Sequence, residues 1–354
     1  MTTLTAEESK QYSRHLLLNE IGEVGQLKLK KAKVLVIGAG GLGCPVLQYL
    51  AAAGVGAIGI VDDDSVEQSN LQRQILFNHE DIGKNKARIA AEKLSVLNPF
   101  IKFDVYPERL NKDNALTLFA NYDIIVDGTD NFQSRYLIND AAILTNKPVV
   151  FGSIFKFAGQ VSVFNYKNGP SYRCLYPNPP KEGSVPNCSD IGVLGVLPGI
   201  IGALQANEVL KMICGIGKVL SGTLLTYDAL GVQQQLFSFQ KNSGIVVQTL
   251  DQDYAFVCAI KTEFLEIDFK TYQNTKDDFN VLDVRTFEER EQDHIGGLHI
   301  PLGELEDRQV EISTDKKLLV YCKSGMRSKA AIKILEDFDF KNDLINLKGG
   351  LNSS

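Results

Sequence analysis

The chain has 354 residues, of which 44% are apolar and 23% charged, with a formal net charge of -6. That length allows two domains, each with its own core, and the composition is that of an ordinary globular protein. No Lys/Arg block stands out, so nucleic-acid binding has no electrostatic support.

The amino terminus, Met1-Thr2-Thr3-Leu4-Thr5-Ala6-Glu7-Glu8, has no basic segment ahead of an apolar one and does not read as a signal peptide. A run of branched apolar residues, Val34-Leu35-Val36-Ile37, predicts a strand. It ends in Gly38-Ala39-Gly40-Gly41-Leu42-Gly43, followed by helix formers from Cys44 to Ala53 and a second apolar run from Ala57 to Asp62. This strand–loop–helix–strand unit predicts a Rossmann-like, doubly wound sheet. A helix is expected over 84–97, a short strand over 101–105, and a buried strand over 123–127. The last ends in the turn Gly128-Thr129-Asp130, at the sheet edge where such folds bind ligands.

Beyond it the pattern predicts period-two strands at 148–152 and 160–166, then a long mobile loop rich in Pro, Asn, Ser and Gly over 173–190. The apolar stretch 191–204 is broken by Pro198 and several glycines and is too short for a membrane span. It reads as part of a buried helix over 191–214. Antiparallel strands are expected over 223–227 and 234–239. The division expected is a first domain over 1–250, a linker region over 251–265, and a second, smaller α/β domain over 266–354. In the latter, strands over 280–284 and 317–321 and a helix over 328–336 are expected. The sequence runs out at Gly349-Gly350-Leu351-Asn352-Ser353-Ser354, early for a domain of this kind. The six cysteines, Cys44, Cys174, Cys188, Cys214, Cys258 and Cys322, show no framework spacing. Disulfides are not expected, and the cytoplasm is the expected compartment.

Gly38, Gly40 and Gly43 fit G-x-G-x-x-G between a strand and a helix, where glycine lets the backbone approach a phosphate. Gly41 belongs to the same loop. Asp62 ends the next strand, placed to bind ribose hydroxyls. Alone, this pattern fits NAD binding as well as ATP. Asn70, Arg73 and Lys86 tip the balance, because a triphosphate needs its charge neutralised as pyrophosphate leaves. Asp130, an acid on a strand-end turn, suits Mg²⁺. The bland alternatives are that Arg73 and Lys86 are solvated charges and that Asp130 caps the next helix.

With Gly38 to Gly43, Asp62, Asn70-Leu71-Gln72-Arg73-Gln74, Lys86, Gly128-Thr129-Asp130-Asn131 and Tyr172-Arg173-Cys174-Leu175, the segment 11–239 resembles the ubiquitin-activating superfamily. The nearest branch is the bacterial adenylyltransferases of molybdopterin and thiazole biosynthesis. The resemblance implies ATP-dependent adenylation of the terminal glycine of a small ubiquitin-like sulfur carrier ending in Gly-Gly. It implies that Asp62 binds ribose, that Asn70, Arg73 and Lys86 hold the phosphates, and that Asp130 holds Mg²⁺. It further implies a homodimer in which Arg14, in Tyr12-Ser13-Arg14-His15, reaches the ATP of the other subunit.

Cys188 lies in a flexible loop ahead of an expected helix, and a helix amino end favours a thiolate. By the resemblance it matches the family's conjugating cysteine. The family's structural zinc, held by two C-x-x-C pairs, is not expected here. Ser171 stands where the first pair would begin, leaving Cys174, and Cys258 has no partner, whereas tetrahedral zinc needs four ligands.

Cys322-Lys323-Ser324-Gly325-Met326-Arg327 joins a strand to a helix. Such a loop aims a ring of backbone N–H groups at a thiolate or persulfide, and Lys323 and Arg327 add positive charge. With Leu282-Asp283-Val284-Arg285, His294-Ile295-Gly296-Gly297, Ile300-Pro301-Leu302 and Gly349-Gly350, residues 280–351 resemble a rhodanese domain. Asp283 and Arg285 read as structural. The combined reading is an adenylyltransferase fused to a sulfurtransferase, catalytic through Arg14, Arg73, Lys86, Cys188 and Cys322. The rival is an NAD(P)-dependent oxidoreductase joined to a rhodanese domain.

Overall fold

The apolar runs of the first half form β1 (Lys33–Ile37), β2 (Ala57–Val61), β3 (Lys102–Tyr106), β4 (Ile124–Asp127) and β5 (Val149–Phe155). In the computed structural model, which describes residues 3–179, 192–251, 254, 264–338 and 340–353, these five strands are mutually parallel in the order β3-β2-β1-β4-β5. Three antiparallel strands extend the sheet to eight: β6 (Ala158–Phe164), β7 (Thr223–Asp228) and β8 (Gln233–Ser238). Chain order reverses between β1 and β4, which opens a crevice at their carboxyl ends.

Strand residues alternate between two cores. Val34, Val36, Ile58, Ile60 and Val126 face one, with the helices Gly43–Ala53 and Lys86–Leu97. Leu35, Ile37, Val61 and Ile125 face the other, with the helix Phe132–Leu144. The helix Leu197–Cys214 crosses behind β5 and β6. Its buried Gln205 donates to the Asp127 and Val150 carbonyls at 2.8 and 3.2 Å, tying the helix to the sheet.

The chain divides into two compact units, 1–258 and 259–354. The second holds a parallel five-stranded sheet, β11-β10-β12-β13-β9, from β9 (Leu265–Ile267), β10 (Phe279–Asp283), β11 (Leu298–His299), β12 (Lys317–Tyr321) and β13 (Leu344–Leu347). Its hub is Asp283, fully buried, which accepts from the Arg285 Nε and Nη2 at 3.0 and 2.9 Å and from the Tyr321 hydroxyl at 2.7 Å. Burial pushes the Asp283 carboxyl up, but the Arg285 and Tyr321 bonds win and hold it below its ordinary value.

The segment 173–190 is not all loop. Tyr172–Leu175 is a helical turn, and Arg173 grips Asp140 with Nε and Nη2, both at 2.7 Å. Residues 180–191, with Cys188, lie outside the described residues, as does Cys258. The apolar helix starts at Leu197, not at 191, because Gly192 and Gly195 are poor helix formers and Pro198 is favoured only in a first turn.

A Cβ on Gly43 would lie 1.9 Å from the Gly38 carbonyl oxygen, a backbone atom that cannot move aside. Gly40 has room, its nearest neighbour being the Gln74 side chain at 3.7 Å. Gly43→Ala should therefore destabilise the first unit by about 2 kcal/mol or more, and Gly40→Ala by less than about 0.5 kcal/mol. Denaturant midpoints of the two variants check the contrast.

Candidate functional site

A cavity of about 870 Å³ occupies the crevice at the carboxyl ends of β1, β2 and β4. Gly38, Gly40, Gly41, Asp62, Asn70, Arg73, Lys86 and Asp130 all line it. Gly43 stands just behind, as the first residue of the helix Gly43–Ala53, whose amino end no side chain caps. The Cys44 N–H is bonded to the Gly40 carbonyl at 2.9 Å and Pro45 has none, so it is chiefly the dipole of this uncapped end that favours an anion there.

Asp62 accepts the Ala39 N–H on Oδ2 at 2.7 Å and the Asp64 N–H on Oδ1 at 2.9 Å. This bond pins the glycine loop to the end of β2. Burial raises the Asp62 carboxyl pKa, against the pull of the Ala39 N–H and the Lys86 charge. Each oxygen keeps a lone pair for a further donor.

Lys86 is buried at the start of its helix and pairs with the exposed Asp64 at 2.9 Å. It is not a solvated surface charge. Arg73 is half-buried, and its Nη1 donates to the Ser69 carbonyl at 3.1 Å. Asn70 Oδ1 accepts the Glu67 N–H at 3.1 Å, closing the turn that presents Arg73, and its Nδ2 reaches the Ser69 hydroxyl at 3.4 Å.

Asp130 is exposed at the rim and does not cap the following helix. Asn131 does, accepting the Ser134 N–H at 2.9 Å. Among the described residues, one three-acid group brings its oxygens within 4.8 Å of one another, Asp62, Asp63 and Asp64, and Asp130 is not in it.

Arg14 is exposed on the helix Ser13–Leu16 and does not line the cavity. The sequence reading also missed Arg135. This buried arginine lines the cavity, donates from Nη2 to the Thr129 carbonyl at 3.3 Å, and leaves Nε without a partner. It sits one helical turn past Asn131, so the cap was its only local signal. Gln74, also buried in the cavity wall, has an unpartnered Oε1.

Cys174 accepts hydrogen bonds from the Ser171 N–H at 3.4 Å and the Asn242 N–H at 3.3 Å. Burial alone would raise this thiol's pKa, but the Ser171 hydroxyl and these N–H groups outweigh it and lower it.

In the second unit Cys322 follows directly on β12, fully buried. The Gly325 N–H donates to its Sγ at 3.2 Å, and the Ser328 hydroxyl lies 3.5 Å away. Burial pushes the Cys322 thiol up, while Ser328 and the Ser324, Gly325 and Ser328 N–H groups bring it below its ordinary value. Gly350, with φ +60°, packs beneath the loop, where a Cβ would lie 2.3 Å from the Cys322 carbonyl oxygen. Arg327 does not stand free. Its Nη1 and Nη2 are held by Glu289 at 2.6 and 2.7 Å.

Two family models match the chain, the ThiF family over residues 12–245 and the rhodanese-like domain over residues 268–353. A sulfur carrier protein adenylyltransferase of Thermus thermophilus is 51% identical over 243 residues, 67% of this chain and 90% of that protein. An adenylyltransferase and sulfurtransferase MOCS3 of Xenopus laevis is 40% identical over 389 residues, 98% of this chain and 86% of that protein. The crystal structure of E. coli MccB with MccA-N7isoASN shares the fold at a TM-score of 0.61 and 24% identity, covering 68% of this chain and 74% of that one.

Arg327 holds the Glu289 carboxyl down at about 2, from an ordinary 4.5. A lowered folded-state pKa gives stability that is present above the unfolded value and is lost as pH falls through the folded one. Glu289→Gln should therefore lower the Tm of the second unit at neutral pH. The gap to the parent chain should narrow from about pH 4.5 down to about pH 2. Thermal melts of both full chains across that range check it.

Proposed function

This chain belongs to the ThiF family and carries a rhodanese-like domain, and from that premise we infer that it activates a small sulfur-carrier protein with ATP and then supplies it with sulfur. The observation that carries the reading is one cavity where an open helix amino end, Asp62, Arg73, buried Lys86 and Asp130 meet. A nicotinamide dinucleotide has no need of so much cationic charge beyond its ribose carboxylate. A triphosphate fits it, and the unpartnered Arg135 Nε adds another donor toward an anion.

The terminal carboxylate of the carrier attacks the α-phosphorus of ATP. The bond to the bridging oxygen breaks, and pyrophosphate leaves with its electrons. Arg73 and Lys86 stabilise the charge that develops there. Asp62 orients the ribose hydroxyls while holding the glycine loop through Ala39. Asp130, exposed at the rim, would hold Mg²⁺, which would neutralise phosphate charge. Asn70 acts by shaping the turn beneath Arg73.

The terminal sulfur of a Cys322 persulfide then attacks the acyl adenylate, and AMP leaves. A thiol reductant cleaves the resulting acyl disulfide, releasing the thiocarboxylate. Cys188 is the chain's own candidate thiol for this coupled step. The carrier's tail would end in Gly-Gly, as the family resemblance implies.

Adenylation and sulfur loading separate by variant. Arg73→Ala and Lys86→Ala should each slow ATP–pyrophosphate exchange by about 10²–10³-fold. Cys322→Ala should leave exchange near the parent rate and abolish thiosulfate sulfurtransfer. Normal exchange in both cation variants, or sulfurtransfer without Cys322, would sink the assignment.

The working form is a homodimer in which Arg14 serves the neighbour's cavity, a reading supported by its exposure away from its own. An Arg14→Ala chain mixed with an Arg73→Ala chain should recover one working site per mixed dimer. Mixed dimers that form but stay inactive count against it.

The zinc site is lost, its place at Cys174 taken by the Ser171 and Asn242 hydrogen bonds. Metal analysis of the purified protein should find far less than stoichiometric zinc. A bound, chelator-resistant ion would show that other ligands serve.

A further inference from the structure

The two cations of the Cys322 loop are in different states. Lys323 is exposed, and among the described residues it makes no ion pair. Arg327, in the first turn of the helix Met326–Asp337, is gripped at both ends of its guanidinium by the two oxygens of Glu289, at 2.6 and 2.7 Å. Such a two-bond fork is the strongest geometry an arginine offers a carboxylate.

Glu289 is itself held in place. It is the third residue of the helix Phe287–Gln292, and it closes a capping box in which Thr286 N–H donates to its Oε2 at 3.1 Å. Both side chains of the pair are partly screened from water, 35% and 25% exposed, so the bonds are not diluted as on an open surface. The pair adds stability but, unlike Asp283 and Arg285, is not buried in the sheet. It sits beside the reactive loop.

We propose that Glu289 sets donor specificity in the sulfur loop: by occupying Arg327 it withholds that charge from an incoming dianion, so small dianionic sulfane donors bind weakly. A dianion entering beside Cys322 must either displace the Glu289 carboxylate from its fork or approach with that carboxylate's negative charge close by. Both weaken binding. Of the two loop cations, Lys323 is the one left to attract it. The inference rests on the reading of Cys322 as the persulfide carrier, and it concerns binding of the donor rather than the transfer.

With thiosulfate as the donor, the transfer is balanced without any other reactant. The Cys322 thiolate attacks the outer sulfur, the S–S bond breaks, and sulfite leaves with the electron pair. One negative charge stays on the new Cys322 persulfide, and two leave with sulfite. Cyanide then takes the terminal sulfur as thiocyanate and returns the thiolate.

Steady-state thiosulfate–cyanide sulfurtransfer by the full chain tests the inference. Glu289→Gln keeps a residue that suits the capping box. It should lower the KM for thiosulfate roughly tenfold, with kcat within about twofold, because a charge-assisted contact becomes available to the donor. Arg327→Ala should not lower KM, because it removes an occupied guanidinium and leaves the Glu289 charge beside the loop. The double variant Glu289→Gln/Arg327→Ala should lose most of the fall in KM seen in Glu289→Gln, because that fall needs the freed guanidinium. A KM unmoved in Glu289→Gln, a fall in kcat alone, or a low KM that persists in the double variant overturns the inference. If Glu289→Gln does not fold, Glu289→Ala takes its place, since it also frees Arg327: a lowered KM for thiosulfate supports the inference, and an unmoved KM overturns it. A parallel Cys322→Ala chain separates the two levels. Transfer that survives there removes the persulfide reading itself, whatever Glu289 does.

Discussion

The first unit depends on a backbone-to-backbone contact that only glycine permits. Gly43 lies directly against the Gly38 carbonyl, and Gly38, with φ +92°, lies against the Gly128 carbonyl. These three residues belong to the exits of β1 and β4, the two strands between which chain order reverses. Closing that gap brings the open helix end, the β2 carboxylate and the Asp130 turn around one cavity. Any side chain there would push the strands apart at the point where the site is built.

Around that contact the charges are arranged by degree of commitment. Asp62 is tied to the loop through the Ala39 N–H, so a ligand contact there, as proposed, would be coupled to loop position. Lys86 is buried but paired only with the exposed Asp64, a partner that solvent screens and a phosphate can replace. Arg173 and Asp140, by contrast, are bidentate and shielded, and serve the fold. What separates the Lys86 pair from the Arg173 pair is the burial of the partner, not of the cation.

The second unit repeats the same physics with sulfur in place of phosphate. Its reactive atom also sits at the carboxyl end of a parallel strand, in a turn whose N–H groups converge, with a glycine packed beneath. A buried thiol would ordinarily resist ionisation. The converging N–H groups reverse that, as they do for an anion at the first site. The Asp283–Arg285–Tyr321 hub holds the strand that carries Cys322, because Tyr321 is its immediate neighbour.

Much of this was legible in the chain. The runs Val34–Ile37 and 317–321, the glycine spacing from Gly38 to Gly43, and the order of Asp62, Asn70, Arg73, Lys86 and Asp130 are local patterns, and local patterns determine where strands end and which residues reach their carboxyl edge. Short or evenly apolar elements were not legible. The strand β13 carries the polar Asn346 in its buried centre, satisfied by the Ser328 hydroxyl and the distant Glu266. The helix Phe132–Leu144 is buried nearly all round and so lacks a periodic face. Nor could sequence say which charges are free. Glu289 is 38 residues from the Arg327 it occupies, and Asp64 is 22 residues from Lys86. The sequence by itself determined the kinds of chemistry present and the turns that display them. The tertiary structure alone decided which cations are spent and which are available, because electrostatic pairing depends on distance and burial in space, and neither is written in the spacing of residues along a chain.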